Sequence, residues 1–197
     1  MITRADDFEV PTVPPGGITS DQGTPAVFKS YIEGQLWPCA VAWKLTGEKK
    51  YAEKIALFLR RLSDPQNGYP KTLHANSQGI PQEGGFFEGC AKSYDAIQDV
   101  GVLSDEDKKQ IEQTFRLYIG EVEDSMGDGG ISNWSMFNLC PAAQCALVIH
   151  DMAHFDYLMN GPCGIVDHLR YGTMDDGWWY EVSLSYNLGV AQVVTSL

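Results

Sequence analysis

Apolar side chains recur every three or four residues along most of this chain, the spacing that lines one face of a helix. Phe28, Ile32, Leu36, Cys39 and Trp43 form one stripe, with Gly47 as its stop. Tyr51, Ile55, Phe58, Leu59 and Leu62 form a second. Asp64-Pro65 ends it, because a residue before proline is steered away from helical backbone. Phe87, Ala91, Tyr94 and Ile97 make a third stripe. Ser104, with Asp107 three residues on, reads as the N-cap of a fourth helix bearing Ile111, Phe115, Tyr118, Ile119 and Val122. A fifth helix is expected from about Asn133 to His150. Short helices follow at 152–160 and 162–172, the latter with Pro162 in its first turn, and a last one from about Trp179 to the end. No segment alternates as a strand. The pattern predicts an all-α chain of stacked antiparallel helical hairpins.

Two stretches lack the period. Residues 1–22 hold several Pro and Gly and read as an extended lead-in, leaving 23–197 as the helical part. Residues 65–83 are rich in turn residues. A loop of that length inside a domain is often a binding loop or lid, and equally it can be a tolerated surface loop.

Composition narrows the classes. Hydrophobic residues are 44% and charged residues 20%, which fits a globular chain and not a disordered one. Twenty-six acids against 14 bases give a net charge of -12, which argues against a nucleic-acid partner. No apolar run is long enough to span a membrane, and the first residues hold no apolar signal-peptide core. Cys39, Cys90, Cys140, Cys145 and Cys163 contain no C-x-x-C pair, and most lie in apolar helical patterns. They read as small buried hydrophobes and not as a disulfide framework or zinc site. No metal and no cofactor is expected.

Chemistry concentrates in two clusters. In Asp128-Gly129-Gly130-Ile131-Ser132-Asn133-Trp134, glycines lead into a helix start, where free N–H groups and the helix dipole favour a carboxylate. The Asn133 amide adds donors, although Ser132 or Asn133 can equally be an ordinary cap. In Asp175-Asp176-Gly177-Trp178-Trp179-Tyr180-Glu181-Val182-Ser183-Leu184-Ser185-Tyr186-Asn187, paired tryptophans stand beside acids and a Tyr/Asn pair. That combination suits a sugar site, and it also suits a capped helix with core tryptophans. On a helix, Glu181, Ser183, Ser185 and Asn187 would fall on neighbouring turns.

The order Ser132-Asn133-Trp134, then Asp176-Gly177-x-x-x-Glu181-x-Ser183-x-x-Tyr186, resembles the heparinase II/III-like and alginate lyase-like polysaccharide lyases. The Ala91, Tyr94-Asp95, Ile97 stripe with Gly101-Val102-Leu103-Ser104 is similar to the hairpin before their Asn motif, so the resemblance covers roughly residues 85–190. It implies an incomplete (α/α) toroid over 23–197, truncated at the C-terminus, with a cleft for an acidic polysaccharide. It implies β-elimination of a uronic-acid-containing polymer in the periplasm or outside the cell. Asn133 would neutralise the uronate carboxylate, and Tyr186 would act as general acid, in some stereochemistries also as base. Trp134, Trp178, Trp179, Glu181 and Asn187 would bind sugar. Some members place a His directly after the Asn, where this chain has Trp134, so His74 in the long loop is the candidate base. His150 reads as a helix C-terminal residue, and His154 and His168 as surface or satisfied core residues. Lys71, Lys92, Arg116 and Arg170 are candidates for a basic path toward a polyanion. Two other readings stand beside the lyase. One is an (α/α) glycoside hydrolase using Asp175 or Asp176 with Glu181. The other is a non-catalytic carbohydrate-binding module.

Overall fold

A computed structural model describes residues 1–12, 36–69, 81–127 and 130–197, with the backbone alone at 81–83. Among these residues the chain is all-helical, joined by turns and one isolated bridge between Thr173 and Trp179. The first helix, α1 (Ile2–Asp7), lies within the expected extended lead-in. Its Ala5 and the following Phe8 are buried, and the Lys54 ammonium donates to the Ala5 and Asp6 carbonyls at 2.8 Å each. Residues 1–12 are therefore docked on the helical body, which the missing period concealed.

Helix α2 (Trp37–Thr46) ends as expected at Gly47, whose φ of 68° is the left-handed C-cap conformation. A two-residue turn leads to α3 (Lys49–Ser63), ended at Asp64. There the Asp64 carboxylate accepts from the Gln66 and Asn67 amides at 2.8 Å each, closing a turn. Helix α4 (Pro81–Ile97) starts within the stretch read as a loop, with proline in its first turn. Helix α5 (Asp105–Asp124) begins on a full capping box between Ser104 and Asp107. Then come α6 (Asn133–Val148), α7 (Met152–Asn160), α8 (Ile165–Gly172) and α9 (Leu184–Thr195). Pro162 stands in the turn before α8, which starts three residues later than its proline suggested.

Helix α6 is the hub, touching α4, α5, α7, α8 and α9. It is buried around most of its circumference, with Met136, Leu139, Cys140, Ala142, Ala143, Cys145 and Ala146 inside beside the polar Asn138 and Gln144, as suits a helix with neighbours on several sides. Pro141 lies inside it and has no N–H to give the Phe137 carbonyl. Gly84 of α4 approaches that same carbonyl so closely that a Cβ there would overlap its oxygen. The Cys145 thiol reaches the Phe87 carbonyl, three residues further along α4 and eight further along α6, so the two helices run side by side in one direction. Between them in sequence, α5 runs the opposite way. Tyr94 of α4 meets Glu112 and Phe115, while Phe87 stacks on Tyr118 with centroids 4.0 Å apart.

Cys39, Cys90, Cys140 and Cys145 are buried, as read, and Cys163 is half-buried. Burial pushes the Cys39 thiol up to about 11 and the Cys140 thiol up to about 12, keeping both protonated.

Candidate functional site

At the start of α6 the cap is Ser132, whose hydroxyl accepts from the Ser135 amide at 3.1 Å. Asn133 is therefore not the cap. It occupies the first helical position with its side chain 3% exposed. Among the described residues its amide has no hydrogen-bond partner, so a buried donor-acceptor group stands unspent beside the positive end of a helix. Trp134, the next residue, is 46% exposed.

The second cluster is not the continuous helix expected from Trp179 onward. Residues 173–183 form a compact turn closed by the Thr173–Trp179 bridge, with Met174 N–H donating to the Trp178 carbonyl at 2.8 Å. Gly177 has a φ of 85° and the Asp176 carboxylate accepts from the Trp178 amide at 3.1 Å, so the Asp-Asp-Gly run is turn chemistry. Trp179 is driven inward to 2% exposure. Its indole donates to Glu181 at 2.7 Å and its backbone N–H to the Asn187 side-chain oxygen at 2.9 Å. Trp179, Glu181 and Asn187 thus hold the turn together and spend these groups inside the protein, whereas the sequence placed them on sugar. Glu181 lies before α9, so the helical spacing expected for it does not arise. Trp178, by contrast, stays 37% exposed.

Helices α6 and α9 bring the two clusters together. A Cβ on Gly189 would meet the Phe137 ring at 2.9 Å, and the Gln144 amide donates to the Ser196 carbonyl. Both pairs advance together, so the helices run parallel with a fixed offset. That register sets Asn133 and Trp134 level with Ser185 and Tyr186, at the N-terminal ends of both helices. Tyr186 is 45% exposed. The Tyr180 hydroxyl, which sequence reasoning passed over, donates to the Ile131 carbonyl at 2.8 Å and ties the turn to the segment entering α6.

His168 of α8 also adjoins this segment. It is 1% exposed, with Nδ1 at 2.9 Å from the Gly164 carbonyl and its ring beside the Gly130 and Cys163 backbone. Burial holds its pKa below the usual histidine value, and its Nε2 has no partner among the described residues. It is a core residue, though not a fully satisfied one. His154 pairs with Glu123 at 2.8 Å, and His150 follows α6 in the left-handed conformation with a φ of 57°.

Among the described residues, two of the bases expected along a basic path are already paired with acids. Lys92 is bound to Glu88 at 2.6 Å, and it lies toward the C-terminal end of α4, away from Asn133. Arg116 is shared between Glu112 and Asp151. Arg170 is exposed on α8. His74 and Lys71 lie outside the described residues. No protein-family model matches this chain, and no curated protein matches it either.

Proposed function

We propose that this chain is an arc of an (α/α) toroid and acts as a polysaccharide lyase, cleaving a uronic-acid-containing polymer by β-elimination. The observation that carries the reading is the parallel register of α6 and α9, which sets Asn133 and Tyr186 at one end of two touching helices. The same-direction relation of α4 to α6, with α5 returning between them, supports an inner and an outer layer of helices.

In this reading the uronate carboxylate docks at the paired helix N-termini and takes the free Asn133 amide as a donor. Removing the proton alpha to that carboxylate puts charge onto its oxygens, and donors already in place lower the barrier for that step. The electron pair then forms the C4–C5 double bond, the C4–oxygen bond breaks, and the departing oxygen takes a proton from the Tyr186 phenol. Trp134 and Trp178 offer exposed rings to neighbouring sugars. His74 remains the candidate base where Tyr186 does not take both roles. Such a substrate is met in the periplasm or outside the cell. Glu181, engaged by the Trp179 indole, is poorly placed to serve as the free acid of a hydrolase.

The test is a product assay on uronic-acid polymers. A lyase creates an ultraviolet-absorbing unsaturated uronate. New reducing ends without that absorbance would establish hydrolysis, and binding without either product would establish a carbohydrate-binding module.

A further inference from the structure

The residues that carry the proposed site lie in the acid-rich part of the chain. From Leu117 to Leu197 there are ten Asp and Glu and a single base, Arg170. Asp175 and Asp176 sit on the turn beside exposed Trp178, and Glu181 beneath it binds Trp179. The donors facing a carboxylate are neutral: the Asn133 amide and the N-terminal backbone of α6 and α9. Among the described residues Lys92 is committed to Glu88 and Arg116 to Glu112 and Asp151, which leaves Arg170, exposed on α8, as the one base in this part of the chain. Neutral donors can hold one carboxylate, but they do not offset a dense row of negative charges arriving against an acidic surface. Exposed aromatic rings at Trp134, Trp178 and Tyr186 favour the apolar faces of sugars, whatever their charge.

Resting on the lyase reading, we infer that this site selects a sparsely charged, unsulfated polymer, in which a single uronate is flanked by neutral sugars. A heavily sulfated uronan is discriminated against by charge before any fit is tried. Screening shortens the reach of that repulsion to roughly 10 Å at 0.1 M salt, so the preference is strongest at low ionic strength.

The experiment compares three polymers on the intact chain: an unsulfated one with isolated uronates, a fully charged polyuronate, and a sulfated uronan. Unsaturated product gives kcat/KM, and tryptophan fluorescence titrations give binding without reference to turnover. At low salt the sparsely charged polymer is expected to lead the sulfated one by about tenfold or more, with added salt narrowing the gap. Asp175→Lys is expected to narrow it as well. Equal or better cleavage of the sulfated polymer, with rates falling as salt rises, overturns the preference and leaves the lyase reading standing. The expected binding order without unsaturated product keeps the preference and removes the lyase reading. Neither binding nor product removes both.

Discussion

Tyr186 keeps its ring at the surface, so Tyr186→Phe removes one hydroxyl from solvent and disturbs little packing. If that hydroxyl moves a proton in the transition state, turnover falls by about 10²–10⁴-fold while substrate binding persists. Steady-state kinetics with a melting curve as folding control decide it, and near wild-type turnover makes Tyr186 a spectator. Asn133→Ala is expected to weaken both binding and rate, because its donors serve the ground state and, more strongly, the transition state. His168 carries a prediction about pH. Its folded pKa lies below that of an exposed imidazole, so the unfolded chain binds more protons between the two values. Stability therefore declines as pH falls through about 6.5 toward the folded pKa, and is level above that window. Urea titrations at stepped pH on wild type and His168→Gln should show this part of the decline in wild type alone. An identical decline in both would assign it to other groups.

At the scale of elements, the contact between α4 and α6 depends on an absent side chain. Gly84→Ala would press a methyl group into the Phe137 carbonyl, and forcing those helices apart is expected to cost at least about 1–3 kcal/mol, read as a lowered urea midpoint. Ser104→Ala, which removes one half of the α5 capping box, should cost only ~1 kcal/mol. The capping box, the Gly47 stop and the stripes of α3 and α5 were legible because they are local: a cap residue and a 3.6-residue period suffice. The turn at 173–183 has its local signal in Asp175-Asp176-Gly177, but in the sequence that run reads as sugar-site chemistry or a helix cap, and the apolar residues after it mimic a helix. Only the bonds from Trp179 to Asn187, eight residues on, and from Tyr180 back to Ile131 show that the chain doubles back first. The site was legible as two separate clusters. Their register across α6 and α9 was not, because it is set by Gly189 against Phe137, a contact between residues far apart in sequence. For the same reason the sequence could not separate exposed Trp178 from buried Trp179.

For the molecule as a whole, a net charge of -12 means self-repulsion works against the compact state. Raising salt from low to moderate should raise the melting temperature, measured in a weakly interacting salt such as sodium chloride. A fall would mean that surface pairs such as Arg60–Asp107 and Lys50–Asp6 outweigh the excess of acids. The side-by-side helices have another effect, on how the chain reaches this state. Gln144 meets Ser196 across 52 positions and Cys145 meets Phe87 across 58, so neighbours of this kind become adjacent only after a long loop closes. The entropy of that closure must be met before its contacts form, whereas the α2–α3 hairpin closes over two residues. Refolding is therefore expected to organise hairpins first and to align α4, α6 and α9 last. A pulse-labelling experiment would find amides in α3 protected before the buried amides of α6, and the end that joins Asn133 to Tyr186 would be among the last parts of the protein to exist.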